Sequence, residues 1–279
     1  MNQQRVGNLK DGDFMSDAKG MSALASHPEG KSIEEQICVF SNCGFDSFFL
    51  STGVTDRFEK IPFWAKVAQQ HGIIFEAVHH PSQGVDAIWN GGEDAASYER
   101  KAKRMIEYCS EGGVSKLVIH VGLSSSIVVS EAGLAFWKEL ECFARAHNVK
   151  LCYENANTPE LFEAVADQAD SYHGICYDAG HAFCYTPDRN YISRYGSKLL
   201  YTHIHDNYGD GRDLHFLPMD GKNDWEICIS NLNAANYQGT LNLELSCFYS
   251  STYQEMSFVD FVKCAYNRLT TVFFEYGIG

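Results

Sequence analysis

The sequence predicts a single barrel of eight parallel strands, each followed by a helix. Three observations predict it. Eight short apolar runs alternate with helical stretches, the order that builds a parallel sheet. The length of 279 residues suits one barrel of the usual ~250-residue size. The last six runs end on metal-binding residue types: Val78-His79, Ile119-His120, Tyr153-Glu154, Tyr177-Asp178, Thr202-His203 and Leu243-Glu244. In a barrel of this kind the carboxyl ends of the strands form the mouth, where chemistry sits.

Residues 1–18 are polar and rich in Gly and Asp; they read as a tail or cap, with the barrel over 19–279. Strands are expected at 20–25, 45–51, 73–79, 116–121, 149–155, 174–178, 199–206 and 240–245. Helices are expected at 31–42, 58–70, 94–111, 131–147, after Thr158-Pro159, and at 188–195, 225–236 and 258–274. Gly44, Gly72 and Gly112-Gly113 stop the first three helices, where a chain leaving a helix turns most easily on glycine. A doubly wound open sheet is the alternative. It needs a Gly-rich phosphate turn after an early strand, and the sequence has none.

With 36 acidic against 22 basic residues the net charge is -14. Such a surface repels phosphate backbones and anionic membranes, so neither nucleic acid nor membrane is an expected partner. No apolar stretch approaches the ~20 residues of a membrane span, and residues 1–14 carry no apolar targeting segment. The ten cysteines form no C-x-x-C pair, and several lie inside apolar runs. They read as free buried thiols of a cytoplasmic protein. A small molecule is the expected partner, and a homo-oligomer is left open.

Side chains at i and i+2 of a strand share a face. Cys152 and Glu154 therefore point one way, as do Tyr201, His203 and His205. Four adjacent strands deliver Glu154, Asp178, His203 and Glu244 to one place. Any one of these alone is more often a helix cap or a satisfied core residue. Three carboxylates crowded together repel and raise one another's pKa unless a cation joins them. One imidazole with three carboxylates suits Mn²⁺, Mg²⁺, Co²⁺ or Zn²⁺. His79, His120, His181, His205, Asp213 and His215 form a second tier, as further ligands, substrate contacts or orienting groups. Asp178 and His181 are expected across a tight turn. Trp89 could roof a sugar ring, but core or surface packing is its favoured reading. Arg212 and Lys222 are the candidate anion binders. His80 and His173 read as surface or core residues.

The segments FEAVHHP, KLVIHVG, LCYENAN, ICYDAGHAFCY, THIHDNYGDGRDLH and LNLEL resemble the xylose-isomerase-like TIM barrels over roughly residues 22–244. The resemblance implies a metal held by Glu154, Asp178, His203 and Glu244, choosing His203 over His205, which spacing alone leaves open. Its epimerase branch implies Glu154 and Glu244 as the proton-exchanging pair and a sugar or polyol isomerase or epimerase working through an enediolate. Dehydration or lyase chemistry on a keto-sugar is an alternative outcome. The related type IV apurinic endonucleases use three metals, and their nine ligands match His79, His120, Glu154, Asp178, His181, His203, Asp213, His215 and Glu244. A zinc-dependent phosphodiesterase is therefore the other alternative.

Overall fold

The computed structural model describes residues 18–275; all of the expected tail except Ala18 lies outside the described residues. The strands are β1 (Lys19–Ala23), β2 (Ser47–Leu50), β3 (Ile74–His79), β4 (Lys116–His120), β5 (Lys150–Glu154), β6 (Gly174–Asp178), β7 (Leu199–His203) and β8 (Leu241–Leu243). They pair in parallel in the order β7-β6-β5-β4-β3-β2-β1-β8. The ring closes just past β7: Ile204 N–H donates to Asn242 O at 2.8 Å, and Glu244 N–H donates to Ile204 O at 3.1 Å. The chain is a (β/α)8 barrel, as the alternation predicts.

Ten α-helices are found among the described residues: α1 (Ile33–Asn42), α2 (Ile61–His71), α3 (Gly92–Gly112), α4 (Glu131–Ala146), α5 (Pro159–Gln168), α6 (Ala179–Tyr185), α7 (Tyr191–Tyr195), α8 (Trp225–Ala234), α9 (Ser251–Glu255) and α10 (Phe258–Thr270). α1 begins on a reciprocal cap. Ser32 Oγ accepts from Glu35 N–H at 3.2 Å, and Glu35 Oε2 accepts from Ser32 N–H at 2.8 Å. α2 and α3 stop at Gly72 and Gly113, both in the left-handed region at φ 67° and 69°. Two short helices, α6 and α9, are additions to the sequence reading. The segment after Asp178, expected as a tight turn, is helix α6. Asp178 caps it, its Oδ1 accepting from His181 N–H at 2.6 Å.

The helices bury an apolar layer against the outside of the sheet, while Phe49, Ala77, Val118, Cys152, Cys176 and Tyr201 fill the inside. These six fully buried residues come one from each of β2 to β7. They set the phase of the mouth, because the next inward residue lies two positions on. That rule yields Ser51, His79, His120, Glu154, Asp178 and His203 in turn.

His173 is a core residue and shows how burial fixes a protonation state. Its Nδ1 accepts from Leu151 N–H at 2.9 Å, and its Nε2–H donates to Glu141 O at 3.0 Å. The bond accepted by Nδ1 requires the neutral ring, and burial pushes its pKa down to about 4. The unfolded chain, with an ordinary value near ~6.5, binds the extra proton first. This contribution to stability is therefore present above pH ~6.5 and lost as pH falls toward 4. Its size is on the order of 2 kcal/mol, as for a buried donor stripped of its acceptor. His173→Gln should flatten that acid limb in urea titrations run from pH ~7 to ~4. An unchanged limb would refute the assignment.

Candidate metal centre

Glu154 stands at the centre of the mouth and is almost fully buried. Its two oxygens face different partners. Oε1 lies 2.6 Å from His203 Nδ1; Oε2 lies 2.7 Å from His79 Nε2 and 2.6 Å from His120 Nε2. Glu244 approaches the same His203 Nδ1 at 3.1 Å through Oε2, and Asp178 Oδ2 lies 3.7 Å from it. Across the mouth, Asp213 Oδ2 sits between His181 Nε2 at 3.0 Å and His215 Nε2 at 2.9 Å.

Five groups among the described residues place one donor atom per residue within 4.8 Å of one another, and three of them take in every expected ligand: Glu154/Asp178/His203/Glu244, His79/His120/Glu154, and His181/His205/Asp213/His215. The histidine hydrogen bonds test whether a cation fits. The Nδ1–H of His79 donates to His80 O, that of His181 to Asn155 O and that of His215 to Glu244 O, each at 3.0 Å. A carbonyl can only accept, so the proton of each neutral ring is spent there. The other nitrogen of each ring then faces a carboxylate at 2.7–3.0 Å, which is repulsive for a lone pair and is relieved either by a second proton on the ring or by a cation between them.

Charge tells the same story. Burial alone would raise the Glu154 carboxyl, but the imidazoles of His203, His120 and His79 hold it well below the usual range. Burial likewise opposes ionisation of Asp213, and His215 and His181 pull it far down. Burial would lower His215, yet Asp213 raises it to about 9. The pocket thus favours positive charge among its carboxylates, which protonated imidazoles or a divalent metal would supply. The first group is oxygen-rich and suits a hard ion. The two groups with paired histidines and one carboxylate suit Zn²⁺.

His79, His120, His181, Asp213, His215 and Glu244 line a cavity of about 260 Å³, whereas Glu154, Asp178 and His203 are buried and do not line it. The family described as xylose isomerase-like TIM barrel matches residues 40–255. The chain belongs to this family. One curated relative, the uncharacterized protein y4fM of Sinorhizobium fredii (strain NBRC 101917 / NGR234), is 30% identical over 158 residues, covering 51% of this chain and 50% of that protein. The chain thus spans about half the length of the curated relative it matches. Among solved structures, the IOLI protein with a bound zinc atom aligns with TM-score 0.71 at 18% identity, over 93% of this chain and 99% of that one. D-psicose 3-epimerase from Clostridium cellulolyticum H10, solved with D-tagatose, aligns with TM-score 0.72 at 14% identity, over 92% and 99%. The 3-keto-D-glucoside 4-epimerase YcjR of E. coli aligns with TM-score 0.69 at 16% identity, over 93% and 99%.

Within this xylose isomerase-like barrel, three expected residues stand away from the mouth. Trp89 takes the favoured of its two expected readings and packs in the barrel wall. A 3-10 turn, Val85–Trp89, drives the ring into the wall, where Nε1–H donates to Val121 O at 2.7 Å. A side chain at Gly133 would place its Cβ 2.2 Å from that ring. Trp89→Ala should lower stability by about 3–5 kcal/mol and leave metal content unchanged, read by denaturant titration and elemental analysis. Lost metal with intact stability would reverse this. Arg212 is exposed and paired with Asp210, its Nε 3.0 Å from Oδ2. The Lys222 ammonium lies 6.0 Å from the Tyr208 ring centre. Neither lines the cavity.

Other residues gain a role from the structure. Ser51 Oγ donates to Glu244 Oε1 at 2.8 Å. Its place at the end of an expected strand was the available signal. Asn155 braces Asp178 twice, accepting from its N–H at 2.8 Å and donating to its carbonyl at 2.9 Å. Asp206 gathers the long loop after β7, accepting from the N–H groups of Asn207 at 2.8 Å, Met219 at 2.9 Å and Asn223 at 3.0 Å.

Proposed function

We propose that this chain is a divalent-metal-dependent isomerase or epimerase of a small uncharged sugar or polyol. The observation that carries this reading is the pair Glu154 and Glu244, both against His203 Nδ1 at 2.6 and 3.1 Å, at the cavity that Glu244 lines. Around them the cavity offers the hydroxyls of Ser26, Ser51, Thr52, Ser82 and Ser246, and among the described residues no lysine or arginine lines it. Aimed hydroxyls in a concave site suit a polyhydroxylated ligand better than an anion. The epimerases among the structural neighbours support the same class.

A cation held by Glu154, Asp178, His203 and Glu244 would polarise a ketone and stabilise negative charge beside it. The chain's residues move the proton. One glutamate, as carboxylate, takes the hydrogen from the carbon next to the ketone, and the C–H electron pair becomes the double bond of an enediolate. The other returns a proton: to the opposite face of the same carbon for epimerisation, or to the neighbouring carbon for isomerisation. Loss of an adjacent hydroxide would instead give dehydration. Ser51 holds Glu244 in place for either role.

A panel of ketoses, keto-polyols and oxidised glycosides in D₂O should show deuterium gained next to the carbonyl with metal-loaded protein. Glu244→Gln should slow that exchange by about 10²–10⁴-fold. A fully loaded protein that exchanges no member of the panel would refute the reading. We also place the protein in the cytoplasm, a reading supported by ten unpaired cysteines. Among the described residues no helix is long and apolar enough to cross a membrane.

One observation favours a second reading: the two additional groups, His79/His120/Glu154 and His181/Asp213/His215. Several ions sharing a carboxylate suit displacement at phosphorus, where metals stabilise both attacking and leaving oxygens. Metal counting and a nicking assay on an abasic duplex decide between the two. The sugar reading expects no incision at physiological salt, and incision at catalytic protein concentration would replace it.

A further inference from the structure

We propose that His205 is a positioning residue that ties two of the ligand groups together, holding Asp178 by its Nε2–H and His215 by the face of its ring. The inference rests on reading both groups as metal ligands. His205 lies two residues beyond His203 and is fully buried. Its Nε2 is 3.0 Å from the Asp178 carboxylate. A carboxylate only accepts, so Nε2 carries the proton. This bond sets the direction in which Asp178 presents its lone pairs, as the outer partners of metal sites do.

The ring of His205 lies on that of His215, with centroids 4.0 Å apart and planes 18° from parallel. His215 needs such support, because its backbone is left-handed at φ 50°, an uncommon conformation for a residue with a side chain. Room for His205 is made by Gly180, where a Cβ would lie 2.1 Å from Cε1 of the His205 ring. The remaining nitrogen, Nδ1, is buried without a partner, 3.9 Å from Asp213 Oδ1, which is also unpartnered.

That nitrogen suggests a fourth ligand for the His181/Asp213/His215 group, but the stacking argues otherwise. An imidazole ligates in its own plane, with a bond of ~2.0–2.1 Å. Two nearly parallel rings 4.0 Å apart cannot both direct in-plane lone pairs to one ion. His205 therefore acts through Asp178 on one side and His215 on the other.

Two variants separate these contacts. His205→Phe keeps an aromatic face for His215 and loses the donor to Asp178. His205→Gln keeps an amide donor and loses the face. Each is placed in a His79→Ala/His181→Ala background, to read the Asp178 group, and in a His79→Ala/His203→Ala background, to read the His215 group, the His79 change disabling the His79/His120/Glu154 group in both. Co²⁺ is the probe, followed by visible absorption and elemental analysis, with circular dichroism to verify folding. The Phe variant should weaken Co²⁺ at the Asp178 group by about 10–100-fold and leave the His215 group near its starting affinity. The Gln variant should do the reverse. Equal weakening of both groups by both variants, or no weakening by either, overturns the proposal. A parent protein that holds a single equivalent defeats the second group as a metal site and the His215 half with it. The Phe variant in the His79→Ala/His181→Ala background still decides the Asp178 half.

Discussion

Glu154→Gln should empty the mouth of metal and reduce turnover on the order of 10³-fold or more. Its two oxygens serve two candidate ligand groups at once. One oxygen faces His203 at 2.6 Å, and the other faces His79 and His120 at 2.7 and 2.6 Å. The amide replaces one acceptor with a donor and removes the charge. Whichever way it turns, at least one imidazole lone pair then meets an N–H₂ group where a shared anion stood. Glu141→Gln is the control, because Glu141 is also a buried acid but accepts from Tyr153 O–H at 2.9 Å, away from the cavity. Elemental analysis should find metal retained in the control and lost in Glu154→Gln. Full metal content in Glu154→Gln would remove the bridging role.

Chelation should destabilise the protein more than most single substitutions would. Glu154, Asp178 and Glu244 are each at most 4% exposed, and buried like charges repel unless cations or protons join them. An ion bound only by the folded chain adds about 4 kcal/mol at a thousand times its Kd. At about 2–4 °C per kcal/mol for a chain somewhat smaller than this one, a single ion already accounts for roughly 10 °C. Calorimetry with Mn²⁺, Zn²⁺ or excess chelator should show that difference in wild-type protein and little of it in Glu154→Gln. A melting temperature indifferent to chelator would count against every metal reading of this mouth.

The sequence by itself determined the architecture and the phase of the mouth. Alternating apolar runs specify parallel strands, and the two-residue period carries Cys152 to Glu154, Cys176 to Asp178 and Tyr201 to His203 along the inner face. Those facts are local, so they can be read from neighbours along the chain. The segment after Asp178 was not legible in the same way: Gly180 suggests a turn, whereas the Asp178 cap starts α6 there. Packing was the favoured reading of Trp89, but its direction depends on a 3-10 turn and on the space left by Gly133. Only the closed ring decided which groups meet. It turned the two oxygens of Glu154 toward opposite partners, and it set His203 against Glu154 and Glu244 but His205 against Asp178 and His215. Spacing assigns a face to each residue. Distances across the barrel, and the lone pair each histidine is left with, follow from hydrogen bonds between strands far apart in sequence.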